Sequence, residues 1–129
     1  MGAISKEYIQ ETGSWLRNLL DWDFYCTFTF PTDRTPTSAN KAVGGFIRHL
    51  DHEAKYVLVA QLHKYRACAH VHALVEGLTK YRCVHLMKLW ERRYGGFARV
   101  YIYDPQRGAG YYLVRHLQCD STELDFGNM

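Results

Sequence analysis

The sequence lacks any apolar run approaching the length of a membrane span, so no transmembrane anchor is expected. It has no CxxC pair and no zinc-finger spacing. Its four cysteines, Cys26, Cys68, Cys83 and Cys119, are scattered, which argues against a structural zinc site and for reduced thiols. The opening residues are polar and charged, so no secretory leader is expected. Internal repeats, low-complexity tracts, linkers and ATP-binding motifs are also missing. Charge of one sign is in short supply. The net value of +3 is compatible with a phosphate-bearing partner but does not demand one.

What is present is a chain of 129 residues, 47% hydrophobic and 15% aromatic, with ten tyrosines and seven histidines. That length and composition predict one ordered domain around one core. Residues 6–20 carry Ile9, Trp15, Leu16, Leu19 and Leu20 at helical spacing, interrupted by Gly13, which predicts an N-terminal helical extension within residues 1–22. Phe24, Cys26, Phe28 and Phe30 alternate with Tyr25, Thr27 and Thr29, which predicts a strand ended by Pro31. Ser38 is the expected cap of a helix reaching about Asp51, its stripe Val43, Phe46, Ile47 and Leu50 weakened by Gly44-Gly45. Residues 55–63 and 69–76 predict two more strands. Thr79 is the expected cap of a helix to Tyr94, and residues 97–103 predict a fourth strand. Residues 108–118 predict a last helix, and residues 119–129 a tail. The order is helix, then β-α-β-β-α-β, then helix. It predicts an α+β, ferredoxin-like antiparallel sheet with two helices on one face and the last helix beside or across the other.

The densest chemistry lies in residues 68–75, Cys-Ala-His-Val-His-Ala-Leu-Val. His70 and His72 are two apart on a predicted strand and so share a face. Paired imidazoles are natural ligands for a divalent metal. The short connection from the preceding strand predicts a hairpin. Opposed residues in an antiparallel ladder point to the same face. Any register that matches Leu58, Ala60 and Leu62 with Val71, Ala73 and Val75 therefore brings Gln61 and His63 beside His70 and His72. The alternative for each histidine is a polar side chain on a solvated strand face. Either Gln61 or His63 is open as the third donor.

His70-Val71-His72 has the His-hydrophobic-His form. It follows a Phe28-Thr29-Phe30-Pro31 strand end and precedes Gly110-Tyr111-Tyr112-Leu113-Val114-Arg115-His116. In this order the three segments resemble the motifs of the HUH endonucleases, most closely the rolling-circle replication initiators (Rep proteins) of plasmids and phages. Arg93-Tyr94-Gly95 before a strand is similar as well, and the resemblance spans residues 24–118. It implies metal-dependent, sequence-specific nicking and joining of single-stranded DNA through a 5′-phosphotyrosine. It places Tyr112 as nucleophile and His70 and His72 as metal ligands, with Gln61 where a Glu third ligand is common. Arg115 stands for the usual lysine, and His116 stands where some relatives carry a second tyrosine.

A phenol with a pKa near 10 needs help to attack at neutral pH. Arg115, three residues after Tyr112, is placed to stabilise phenolate or phosphate. Tyr111 competes with Tyr112, since it stands four residues before Arg115. The implied cofactor is Mn²⁺ or Mg²⁺, and two imidazoles favour Mn²⁺. Candidate DNA contacts are Arg99 and Tyr101, on the face with Phe97 and Tyr103, and Lys64 and Arg66 at the hairpin tip. Their ordinary alternatives are packing against the last helix and a solvated turn. The implied partners are a replication origin exposed as a hairpin or loop and a host helicase and polymerase. The implied setting is a monomer in the cytoplasm of a plasmid- or phage-bearing cell. A transposase or mobilisation relaxase is the rival within the superfamily. A non-catalytic single-stranded nucleic-acid-binding module, or a hydrolase using metal-bound hydroxide, is the rival outside it.

Overall fold

The computed structural model describes residues 22–62, 67–106 and 122–128. The predicted helices at 6–20 and 108–118 lie outside them. So do His63, Lys64, Tyr65, Arg66, Tyr111, Tyr112, Arg115, His116 and Cys119.

The described elements are β1 (Phe24–Phe28), α1 (Pro36–Leu50), β2 (Lys55–Leu62), β3 (Ala69–Glu76), α2 (Cys83–Tyr94), β4 (Ala98–Ile102) and β5 (Thr122–Gly127). The architecture is α+β, with two described helices and one five-stranded sheet in the order β4-β1-β3-β2-β5. Every neighbouring pair is antiparallel. No described helix is long and apolar enough to cross a membrane.

Alternation decides the faces. Phe24, Cys26 and Phe28 of β1, Tyr56, Leu58 and Ala60 of β2, Val71, Ala73 and Val75 of β3, and Ala98 and Val100 of β4 share one core with Val43, Phe46 and Ile47 of α1 and Leu86 and Trp90 of α2. Both helices thus cover one face, and the residues of opposite parity are left to the other. Trp90, fully buried, is the centre of that core. Its ring lies 4.7 Å from Phe28, 5.1 Å from Phe46 and 5.3 Å from Phe30, and each such aromatic pair adds about 0.5–1.5 kcal/mol beyond area burial.

The helix starts differ from expectation. The cap of α1 is Thr35, not Ser38. Its hydroxyl accepts the Ser38 N–H at 3.1 Å, and Pro36 occupies the first turn, where no N–H is needed. The cap position of α2 is Arg82, not Thr79, because residues 78–81 close a turn, with the Tyr81 N–H donating to Leu78 O. Gly95 in the left-handed region at φ 78° ends α2. At the end of α1, Asp51 accepts the Glu53 N–H. That bond, with Lys80 beside it, holds the Asp51 carboxyl below the ordinary carboxylate value.

The segment 119–129, expected as a tail, contains β5. Its Thr122, Leu124 and Phe126 pair with Gln61, Val59 and Val57. The intervening Glu123 and Asp125, residue types disfavoured in strands, disguise this period of two. The Asn40 amide of α1 donates to Glu123 O at 3.1 Å and ties β5 to the helical layer.

Candidate metal and nucleic-acid site

β3 lies between β1 and β2, so its second face has neighbours on both sides. His70 sits directly opposite Gln61 of β2, as hairpin parity requires, and His72 sits between Val59 of β2 and Thr27 of β1. The two imidazoles are 4.9 Å apart between ring centroids and nearly perpendicular, at 87°. His72 is buried and His70 half-buried.

The His72 ring is held from β1. Tyr25 Oη and Thr27 Oγ1 each lie 3.2 Å from its Nδ1. When Nδ1 carries the proton it donates to these oxygens, and the lone pair is then on Nε2, the tautomer that binds a metal through Nε2. Tyr25 also lies parallel to the His72 ring at 6.3 Å and stacks on Tyr101 of β4 at 6.5 Å. A row of rings therefore runs Tyr101, Tyr25, His72, His70 across three strands.

This row borders a cleft of about 740 Å³ lined by Tyr25, Thr27, Thr29, His70, His72, Phe97, Ala98, Arg99 and Tyr101. A smaller hollow of about 350 Å³ adjoins it and shares Thr29, His70 and Phe97. The described lining of the larger cleft has one guanidinium, two imidazoles and no carboxylate, a balance that suits an anion.

Of the sequence-predicted residues, His70, His72, Arg99 and Tyr101 line the one cleft, and Gln61 is beside it by register. Tyr112, Arg115, His63, Lys64 and Arg66 lie outside the described residues. Phe97, expected on the face with Arg99 and Tyr101, also lines the cleft, whereas the sequence reading missed Tyr25, Thr27 and Thr29, all of β1 or its end. Alternation had already put these three on the polar side of β1. The missing information was the β1–β3 register, which sets Thr27 opposite His72.

Among the described residues no group of three or more His, Cys, Asp or Glu gathers. The donor set on this face is two imidazoles with the Gln61 amide across the ladder, donors that can ligate a single divalent transition-metal ion. The described cysteines are free and take no part. Burial, with Cys83 nearby, pushes the Cys26 thiol far up, so it stays protonated and inert. Comparison with protein-family models, curated proteins and solved structures finds no match for this chain.

Proposed function

We propose that this chain is a metal-dependent enzyme that nicks and rejoins single-stranded DNA through a tyrosine, in the manner of the HUH initiators of rolling-circle replication that its motifs resemble. The observation that carries the reading is the perpendicular pair His70 and His72, 4.9 Å apart at the wall of a cleft free of carboxylates among its described lining, with Gln61 opposite His70. The strand order β4-β1-β3-β2, with helices in the β1–β2 and β3–β4 connections, supports a ferredoxin-like plan.

His70 and His72, with Gln61, would hold Mn²⁺ or Mg²⁺. A bound ion supplies Lewis-acid stabilisation of charge on the phosphate. Arg99 on the cleft wall is placed to hold a flanking backbone phosphate. Tyr112 Oη attacks the scissile phosphorus. The new bond is Tyr–O–P, the bond that breaks is P–O3′, and the phenolic proton is balanced by protonation of the departing 3′-oxygen. Arg115 stabilises the phenolate or the transferred phosphate. Because one phosphodiester replaces another, the reverse reaction joins strands without ATP.

The exposed aromatic and basic wall would also serve a non-cleaving binding module. One experiment separates the two. The protein is incubated with Mn²⁺ and a pool of single-stranded oligonucleotides, and covalent adducts are sought on a denaturing gel. An adduct lost in Tyr112→Phe supports the enzyme. Binding without an adduct across pool and metals supports the module. An adduct retained in Tyr112→Phe and lost in Tyr111→Phe moves the nucleophile.

A further inference from the structure

Phe97 is unusual for its setting. It is 78% exposed, yet its backbone is fixed at both polar groups by one residue. Thr29 Oγ1 accepts the Phe97 N–H at 2.8 Å and donates to Phe97 O at 3.0 Å, and Thr29 N–H donates to the same carbonyl at 2.8 Å. The clamp is itself held from below, where the buried Trp90 indole donates to Thr29 O at 3.0 Å. Gly96 passes so close that a Cβ there would overlap the Thr29 carbonyl. An exposed apolar ring on the surface needs no explanation by itself. An exposed ring on a backbone pinned this firmly, on the rim shared by two hollows that both reach His70, is preorganised for contact.

We propose that Phe97 is a specificity-determining residue whose ring stacks on an unpaired base of the single strand next to the phosphate held at His70 and His72. The inference rests on the function proposed above and adds a residue to it. A nucleobase is the occupant that fits. The hollow beside Phe97 is walled by Phe30, Pro31 and Ala69, which suits a flat apolar face. The adjoining cleft carries Arg99 and no described carboxylate, which suits the phosphates on either side of that base. Stacking on an aromatic ring discriminates unpaired from paired bases, because a duplex offers no free face.

The test is anisotropy titration of the whole chain with two fluorescein-labelled probes of equal length: a mixed-sequence single strand and an abasic deoxyribose-phosphate chain. Phe97→Ala should weaken binding of the mixed-sequence strand about 5- to 150-fold, the range of one lost base stack. It should leave the abasic chain within about 2-fold, since phosphate contacts are untouched. Phe97→Trp should restore base-dependent binding. Val84→Ala, at an exposed apolar position on α2, should change neither. Equal losses on both probes, or no loss on either, overturn the stacking role of Phe97 while leaving the enzyme reading intact. A parent chain that binds no single strand and forms no adduct overturns both.

Discussion

Thr27 faces His72 across the β1–β3 ladder, and its hydroxyl oxygen lies 3.2 Å from the His72 Nδ1. Tyr25, two residues earlier on the same strand face, brings its own hydroxyl to the same nitrogen at the same distance. The first strand therefore contributes more than core phenylalanines. Its helix-facing side chains build the hydrophobic layer, and the alternate ones orient an imidazole.

If that orientation favours metal binding, removing it weakens affinity without removing a ligand. Tyr25→Phe combined with Thr27→Val should lower Mn²⁺ affinity about tenfold or more, the usual cost of losing the outer partners of a ligating histidine. Thr27→Val alone should cost less, because Tyr25 remains. Isothermal titration with Mn²⁺ reads the effect in the absence of DNA. Unchanged affinity in the double variant would show that the ring needs no such support.

Substitution at each candidate assigns the third donor, Gln61 or His63. Gln61→Glu places a carboxylate opposite His70 and should raise Mn²⁺ affinity about tenfold, while Gln61→Ala lowers it and His63→Ala leaves it unchanged. The same titration checks all three. The converse pattern, with His63→Ala weak and Gln61→Ala normal, assigns the position to His63.

Much of the described part of this cleft is legible in the amino-acid sequence. Period-two alternation separated the faces of the four predicted strands, and hairpin parity put Gln61 and His70 on one side, but Tyr103, expected on the face with Arg99 and Tyr101, lies past β4 and is buried beside Trp22 and Phe24. A ferredoxin-like plan already implies β1 beside β3, but its register is set by long-range packing that no local pattern encodes, so the approach of Tyr25 and Thr27 to His72 was missed. Helix starts failed for a different reason. Thr35-Pro36 and Ser38 are both good signals within three residues, and the proline at the first turn decides between them. β5 was missed because Glu123 and Asp125 disguise a strand whose apolar positions are only Leu124 and Phe126. The Gly44-Gly45 pair read as one weak point but divides in two. Gly44 lies under the Tyr56 hydroxyl, whereas a Cβ added at Gly45 would meet no described neighbour within 4 Å outside its own helix.

The space around Gly45 and Gly96 gives opposite signs to two glycine substitutions. Gly45→Ala, in the interior of α1 where a Cβ meets none of the described residues outside the helix, should stabilise the fold by about 0.5–1 kcal/mol through helix propensity. Gly96→Ala meets the Thr29 carbonyl and the Phe30 backbone, which are not flexible side-chain ends, and should destabilise by about 2–3 kcal/mol. Urea unfolding of both variants checks the pair. Gly96→Ala with parental stability would show that the Thr29–Phe97 clamp relaxes easily, contrary to its role here.

Trp90 links the core to that clamp, and its substitution should separate stability from metal binding. Trp90→Phe keeps an aromatic ring among Phe28, Phe30 and Phe46 but leaves a void and removes the indole N–H that donates to Thr29 O. The lost hydrogen bond is worth about 1 kcal/mol, and the void brings the expected total to about 2–3 kcal/mol. His70 and His72 are carried by β3, which is paired on both sides, so Mn²⁺ affinity should stay within about 2-fold of the parent at temperatures where the variant is folded. Binding of single strands should fall, because the Thr29 backbone that pins Phe97 has lost its anchor from below. Urea unfolding, Mn²⁺ titration and single-strand anisotropy on one preparation test the three parts together. Metal affinity falling in step with strand affinity would mean that the indole supports the whole sheet face rather than the Phe97 rim.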